Sequence, residues 1–155
     1  MITFENSIVI NQPVHDTFAF IANFENTPLW NYYVRKVTQL TDGPVGIGTW
    51  FHQIRKTDEQ TYRVVELEHE RSITIRTTPG SKPSFTARYQ FEQVSDQSMQ
   101  LTNDWQLDLG INPIIERLAQ RRVASAVGEN LDKLKELLET GAVLLQDNRH
   151  VVLQQ

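Results

Sequence analysis

The sequence has no cysteine, and that absence removes disulfide staples, thiolate zinc sites and cysteine nucleophiles together. Nor does it hold an apolar run approaching the ~20 residues that span a bilayer. Positive charge is not in excess: 15 Lys and Arg stand against 19 Asp and Glu, a formal net charge of −4. A nucleic-acid partner calls for a basic face, so that class is set aside. Met1-Ile2-Thr3-Phe4-Glu5 shows no basic stretch leading into an apolar one, so no signal peptide is expected and the chain reads as cytoplasmic. Gly-x-Gly-x-x-Gly, P-loop and Gly-x-Ser-x-Gly patterns are missing. The four histidines, His15, His52, His69 and His150, form no close-spaced pair. No metal and no cofactor are therefore expected.

What is present is 155 residues with 39% hydrophobic content and no internal repeat or linker. A chain of that size buries roughly 70% of its extended surface, enough for one core without staples. Residues 2–10 alternate with Phe4, Ile8 and Ile10 on one face and predict a strand. Pro13 sits where a first helical residue belongs, with Asp16 in the same turn, and predicts a helix over 13–23. Pro28-Leu29-Trp30 predicts a second, very short helix.

From residue 33 the texture turns to β. Strands are predicted near 33–41, 47–56, 61–68, 72–78, 84–94 and 98–109, divided by turns such as Asp42-Gly43-Pro44 and Pro79-Gly80-Ser81-Lys82-Pro83. The connections are too short for crossovers, so neighbours pair antiparallel. Phe85, Ala87, Tyr89 and Phe91 alternate with polar residues, as do Leu101, Asn103, Trp105 and Leu107, which predicts a sheet covered on one face. The cover is a long helix over 113–139, capped by Asn112, begun by Pro113 and stopped by Gly141. Ile111, Ile115, Leu118, Val127, Leu131, Leu134 and Leu138 form its apolar stripe, while Glu116 and other charged residues face away. A straight helix on a curled sheet should stand off in its middle, where Ala124-Ser125-Ala126-Val127-Gly128 is short-sided. An internal pocket is the expected result.

The order strand, two short helices, six strands, long helix resembles the helix-grip fold of the START-like, birch-allergen-like superfamily, and within it the polyketide cyclase/dehydrase-type (SRPBCC) proteins. The resemblance runs through Ile8-Val9-Ile10 with Pro13, Val14 and Phe18, then Asn26-Thr27-Pro28-Leu29-Trp30, Gly43-Pro44-Val45-Gly46-Ile47-Gly48-Thr49, and Leu131 to Glu139. It implies an α+β fold with a seven-stranded antiparallel sheet curled around the long helix, and an enclosed apolar cavity between them. Catalytic groups vary within that family, so none is carried over.

The expected division is a helix-grip ligand-binding domain over 1–140 and a C-terminal extension over 141–155. The ligand-binding candidates are Trp50, His52, Phe85, Tyr89, Asn103, Trp105 and Gly128. Asn103 among apolar neighbours needs a polar partner; Trp105 and Tyr89 carry polar handles that suit an aromatic or polyketide-like guest. Trp50, His52 and Ile54 share a strand face, and His52 is a candidate general base, with Tyr89 the other weak catalytic candidate. Arg76 and Arg122 are candidate partners for a carboxylate or enolate, with a solvated role as the alternative. The expected partner is a small hydrophobic molecule held without chemistry. The alternatives are a cyclase, aromatase or dehydratase, or a protein-binding module of the Hsp90-activator kind. Val143-Leu144-Leu145 and Val151-Val152-Leu153 make the tail too aliphatic for a solvated end. It is expected either to continue the long helix and pack on its own domain or to dock on a second copy as a homodimer.

Overall fold

The computed structural model describes residues 1–154. The elements run β1 (Ile2–Ile10), α1 (Val14–Ala22), a 3₁₀ helix (Phe24–Leu29), β2 (Val34–Gln39), β3 (Trp50–Arg55), β4 (Glu59–Glu68), β5 (Ser72–Thr77), β6 (Ser84–Ser95), β7 (Ser98–Asp108), α2 (Pro113–Thr140), β8 (Ala142–Leu144) and β9 (His150–Val152). The main sheet has seven strands in the order β1-β7-β6-β5-β4-β3-β2, every pair antiparallel. This is the expected α+β helix-grip architecture. α1 and the 3₁₀ helix carry the chain from one sheet edge to the other, and α1 buries Thr17, Phe18, Ile21 and Ala22.

α2 begins and ends where its caps require. The Asn112 side chain accepts from the Ile114 N–H at 2.8 Å, satisfying one of the free donors of a helix start. Gly141 takes φ 82°, a left-handed conformation that favours glycine, and its N–H closes on the Leu137 carbonyl at 2.8 Å. The helix spans about 42 Å, and its two halves differ. Leu131, Leu134 and Leu137 are wholly buried, whereas Ile111, Ile115 and Leu118 of the expected stripe are 47%, 58% and 78% exposed. Helix periodicity locates a face, but burial also needs a packing partner over it, and the apolar residues at the start of α2 stay largely open. Glu116, expected outside, is instead buried. Its carboxylate accepts from the Leu109 N–H at 2.8 Å and pairs with the Met1 ammonium, and those two contacts hold it below the ordinary carboxylate range.

The tail does not extend the helix. It turns at Gly141 and folds back as the hairpin β8–β9, with Val143 opposite Val151. Val143, Leu145 and Val151 join the core of the same chain, while Leu144 and Val152 stay exposed. The burial that pointed to a second copy is thus supplied within the chain. Among the described residues no helix is long and apolar enough to cross a membrane. Among the described residues no group of three or more His, Asp or Glu side chains could hold a metal ion.

Candidate functional site

A cavity of about 330 Å³ lies between the concave face of the sheet and the middle of α2, at the small end of the ~300–1,000 Å³ typical of ligand pockets. Its floor comes from inward positions of the strands: Phe4 on β1, Gln53 on β3, Gln60 and Tyr62 on β4, Ile75 on β5, Phe85 and Tyr89 on β6, and Asn103, Trp105 and Leu107 on β7. Phe24, Thr27 and Trp30 close one side, and Arg122, Val123, Ala126, Val127 and Asn130 of α2 form the roof. Strand register explains the grouping. Phe4 lies opposite Trp105 and Asn103 opposite Tyr89, so alternation on each strand puts them on one face. Aromatic rings make up much of the wall. Phe24 meets Tyr62 at 5.9 Å and Tyr89 at 6.1 Å between centroids, and Phe85 meets Trp105 at 5.2 Å, separations usual for favourable ring pairs.

Four of the sequence candidates, Phe85, Tyr89, Asn103 and Trp105, line this cavity. The polar handles of two of them are spoken for. The Trp105 indole N–H donates to the Asn103 side-chain oxygen at 2.6 Å, and the Asn103 amide donates to the Arg88 carbonyl at 3.1 Å. Asn103 is thereby satisfied by protein, and Trp105 presents mainly its ring.

Three candidates lie elsewhere. Trp50 and His52 are on the convex face of β3, so their assignment to the pocket is corrected. Trp50 pairs with Arg63 across the strands and lies under its guanidinium, and His52 contacts Glu59 at 3.0 Å. The inward residues of that strand are Phe51 and Gln53, both buried. Residues paired in a hairpin share a face, so charged Arg63 opposite Trp50 was the available signal. Gly128 is the third correction. A Cβ there would sit 3.1 Å from the Asn6 side-chain oxygen, and the Asn6 amide donates to the Ala124 carbonyl at 3.1 Å. The small face of α2 therefore seats β1, while Val123, Ala126 and Val127 face the cavity. Of the two arginine candidates, Arg122 lines the cavity and Arg76 bonds Thr86 outside it.

The sequence reading named Tyr89 but missed Tyr62, Gln53, Gln60 and Arg55, all of which line the cavity. Tyr62 is 1% exposed and Tyr89 5%. Burial pushes both phenols up from their ordinary value, with the neighbouring Tyr89 adding to the effect at Tyr62. Among the described residues neither hydroxyl has a protein hydrogen-bond partner. Gln53 and Gln60, also buried, form a relay instead: Gln53 donates to Gln60 at 3.2 Å, and Gln60 to the Pro83 carbonyl at 3.0 Å. Arg55 is held by Asp58 in a two-point pair at 2.8 and 2.7 Å, which lowers the Asp58 carboxyl. The lining contains no histidine, aspartate or glutamate.

No curated protein matches the chain significantly, but solved structures do at the level of fold. A START superfamily protein from Mycobacterium smegmatis aligns with TM-score 0.71 at 14% identity, covering 89% of this chain and 99% of that one. A protein from Thermus thermophilus aligns with TM-score 0.71 at 13% identity, covering 89% and 99%. The di-domain ARO/CYC protein BexL of the BE-7585A biosynthetic pathway aligns with TM-score 0.67 at 18% identity over 90% of this chain, which spans 47% of its length. Residues 1–139 match the family model described as polyketide cyclase / dehydrase and lipid transport, and the chain belongs to that family.

Proposed function

We propose that this protein binds a small, mainly apolar molecule bearing at least one oxygen acceptor, in the cavity beneath α2. The observation that carries the reading is the pair of buried phenols, Tyr62 and Tyr89, which line the cavity without protein partners for their hydroxyls. Neither hydroxyl is among the buried unpaired polar atoms, so each keeps surface open to the cavity, where a carbonyl or hydroxyl of a guest can accept its hydrogen bond. Because burial raises both phenols above their ordinary value, they stay protonated and act as donors throughout the physiological range. The aromatic floor fits a ring-containing or polyketide-like body. A cyclase or dehydratase needs a proton acceptor as well, and a neutral phenol is a poor one. With no imidazole or carboxylate in the lining, retention of a ligand is the better-supported role.

Native mass spectrometry of freshly purified protein should reveal a co-purifying small molecule. In solution, N-phenyl-1-naphthylamine should fluoresce on binding and be displaced by 2-acetylnaphthalene and by 2-ethylnaphthalene. Replacing Tyr62 and Tyr89 by Phe should weaken the acetyl compound by roughly 2- to 10-fold per hydroxyl and leave the ethyl compound unchanged. Failure of the probe to bind the wild-type protein, or equal loss for both competitors, would refute the proposal.

A further inference from the structure

The charge of the cavity wall runs against that of the chain. The protein carries a net charge of −4, yet the lining holds two arginines and no acidic residue. One of them, Arg55, is neutralised by the two-point contact with Asp58. The other, Arg122, has no ion-pair or hydrogen-bond partner among the described residues. Helix spacing shows why. Side chains three and four positions away are the ones within reach on a helix, and for Arg122 these are Leu118, Ala119, Ser125 and Ala126. The adjacent Arg121 adds positive potential.

Arg122 is exposed and also lines the cavity, which places it at the rim, with its guanidinium available to something entering. The face below it carries Val123, Ala126 and Val127, and opposite them stand Phe85 and Trp105. A single unpaired positive charge thus marks the edge of an otherwise neutral, mostly apolar chamber.

We infer that the guest is an organic monocarboxylate whose apolar body fills the chamber and whose carboxylate is received by Arg122. This deepens the ligand-binding role proposed above and rests on it. A guanidinium presents paired N–H donors in a planar fork matched to a carboxylate. One guanidinium also balances one negative charge, whereas a dianionic head would leave an excess in an already acidic protein. Seating the body beneath α2 excludes water from the rim, which strengthens a pair that would be worth little in open solvent.

The test uses full-length protein with bound N-phenyl-1-naphthylamine, displaced by decanoate or by methyl decanoate at neutral pH. The wild type should hold decanoate about tenfold or more tighter than the ester, as expected for a charge-assisted bond. Arg122→Met, which keeps the stem and removes the charge, should weaken decanoate about tenfold more than it weakens the ester and so abolish that preference; Arg122→Lys should retain part of it. Probe and ester binding with no carboxylate preference in the wild type, or equal loss for decanoate and ester in Arg122→Met, overturns this inference and leaves the binding role standing. Absence of probe and ester binding overturns both.

Discussion

Leu145 tests whether the tail is part of the domain or an ornament on it. It lies beyond the family match, which ends at residue 139, yet it is 2% exposed and belongs to the same core as Phe51 and Leu134. Leu145→Ala removes a buried side chain and leaves a cavity that neighbours fill only partly, a change that costs about 2–5 kcal/mol. For a chain of this size a loss of 1 kcal/mol lowers Tm by roughly 2–4 °C, so the melting point should fall by about 4–20 °C. Leu144, one residue earlier and 50% exposed, supplies the control, and Leu144→Ala should stay within about 0.5 kcal/mol of wild type. Thermal and urea unfolding, followed by far-ultraviolet circular dichroism and by tryptophan fluorescence, would measure both variants. All three tryptophans, Trp30, Trp50 and Trp105, lie in the domain and none in the tail. The reasoning is refuted if Leu145→Ala and Leu144→Ala unfold alike. It is also refuted if Leu145→Ala changes only tail amide exchange and leaves global unfolding untouched, the mark of a segment that opens on its own.

Gly128 and Asn6 should be coupled. Gly128→Ala gains roughly 1 kcal/mol of helix propensity but presses on the Asn6 side chain, so its net effect in wild type should be small. In an Asn6→Ala background the same substitution should stabilise by about 1 kcal/mol, and a double-mutant cycle by urea unfolding measures the difference; additive values would show that Asn6 does not oppose the new methyl group. His15 sits against Glu70, whose hydrogen bond and charge raise its pKa above the ordinary value. A raised folded-state value means that the contact stabilises fully below the unfolded His pKa and is lost as pH rises through the folded one. Proton NMR should show His15 titrating above the usual ~6.5 and returning to it in Glu70→Gln; an unchanged titration in that variant would contradict the assignment.

The sequence pattern carried the scaffold well because its signals are local. Asn112, Pro113 and Gly141 bound α2 through backbone chemistry that operates within a turn. The alternation of β6 and β7 correctly placed Phe85, Tyr89, Asn103 and Trp105 on one face. What could not be read locally was which face of β3 points inward. Trp50, His52 and Ile54 form the more apolar of its two sets, and the pairings of Trp50 with Arg63 and of Ile54 with Glu59 reveal that this set faces outward. The exposed start of α2 is a similar case. Ile115 and Leu118 have the right period for burial, but period says nothing about what packs over them, and both stay exposed.

The tail shows the same limit from the other side. Its aliphatic content announced burial without naming the surface, and the surface turns out to be the cavity's own support. The Arg149 guanidinium donates to the Pro28 carbonyl at 2.6 Å, Gln146 donates to the Asn130 side chain at 3.0 Å, and Lys56 meets Asp147 at 3.5 Å. Asn130 is in the cavity roof, Pro28 lies between the lining residues Thr27 and Trp30, and Lys56 follows the lining residue Arg55. The three contacts therefore fall on α2, on the 3₁₀ helix and on the β3–β4 hairpin, elements that meet around the chamber from different parts of the chain. The family match ends at residue 139, before any of these tail residues. The hairpin after Gly141 ties those elements to one another, so the shape of the chamber depends on residues outside the family match as well as within it.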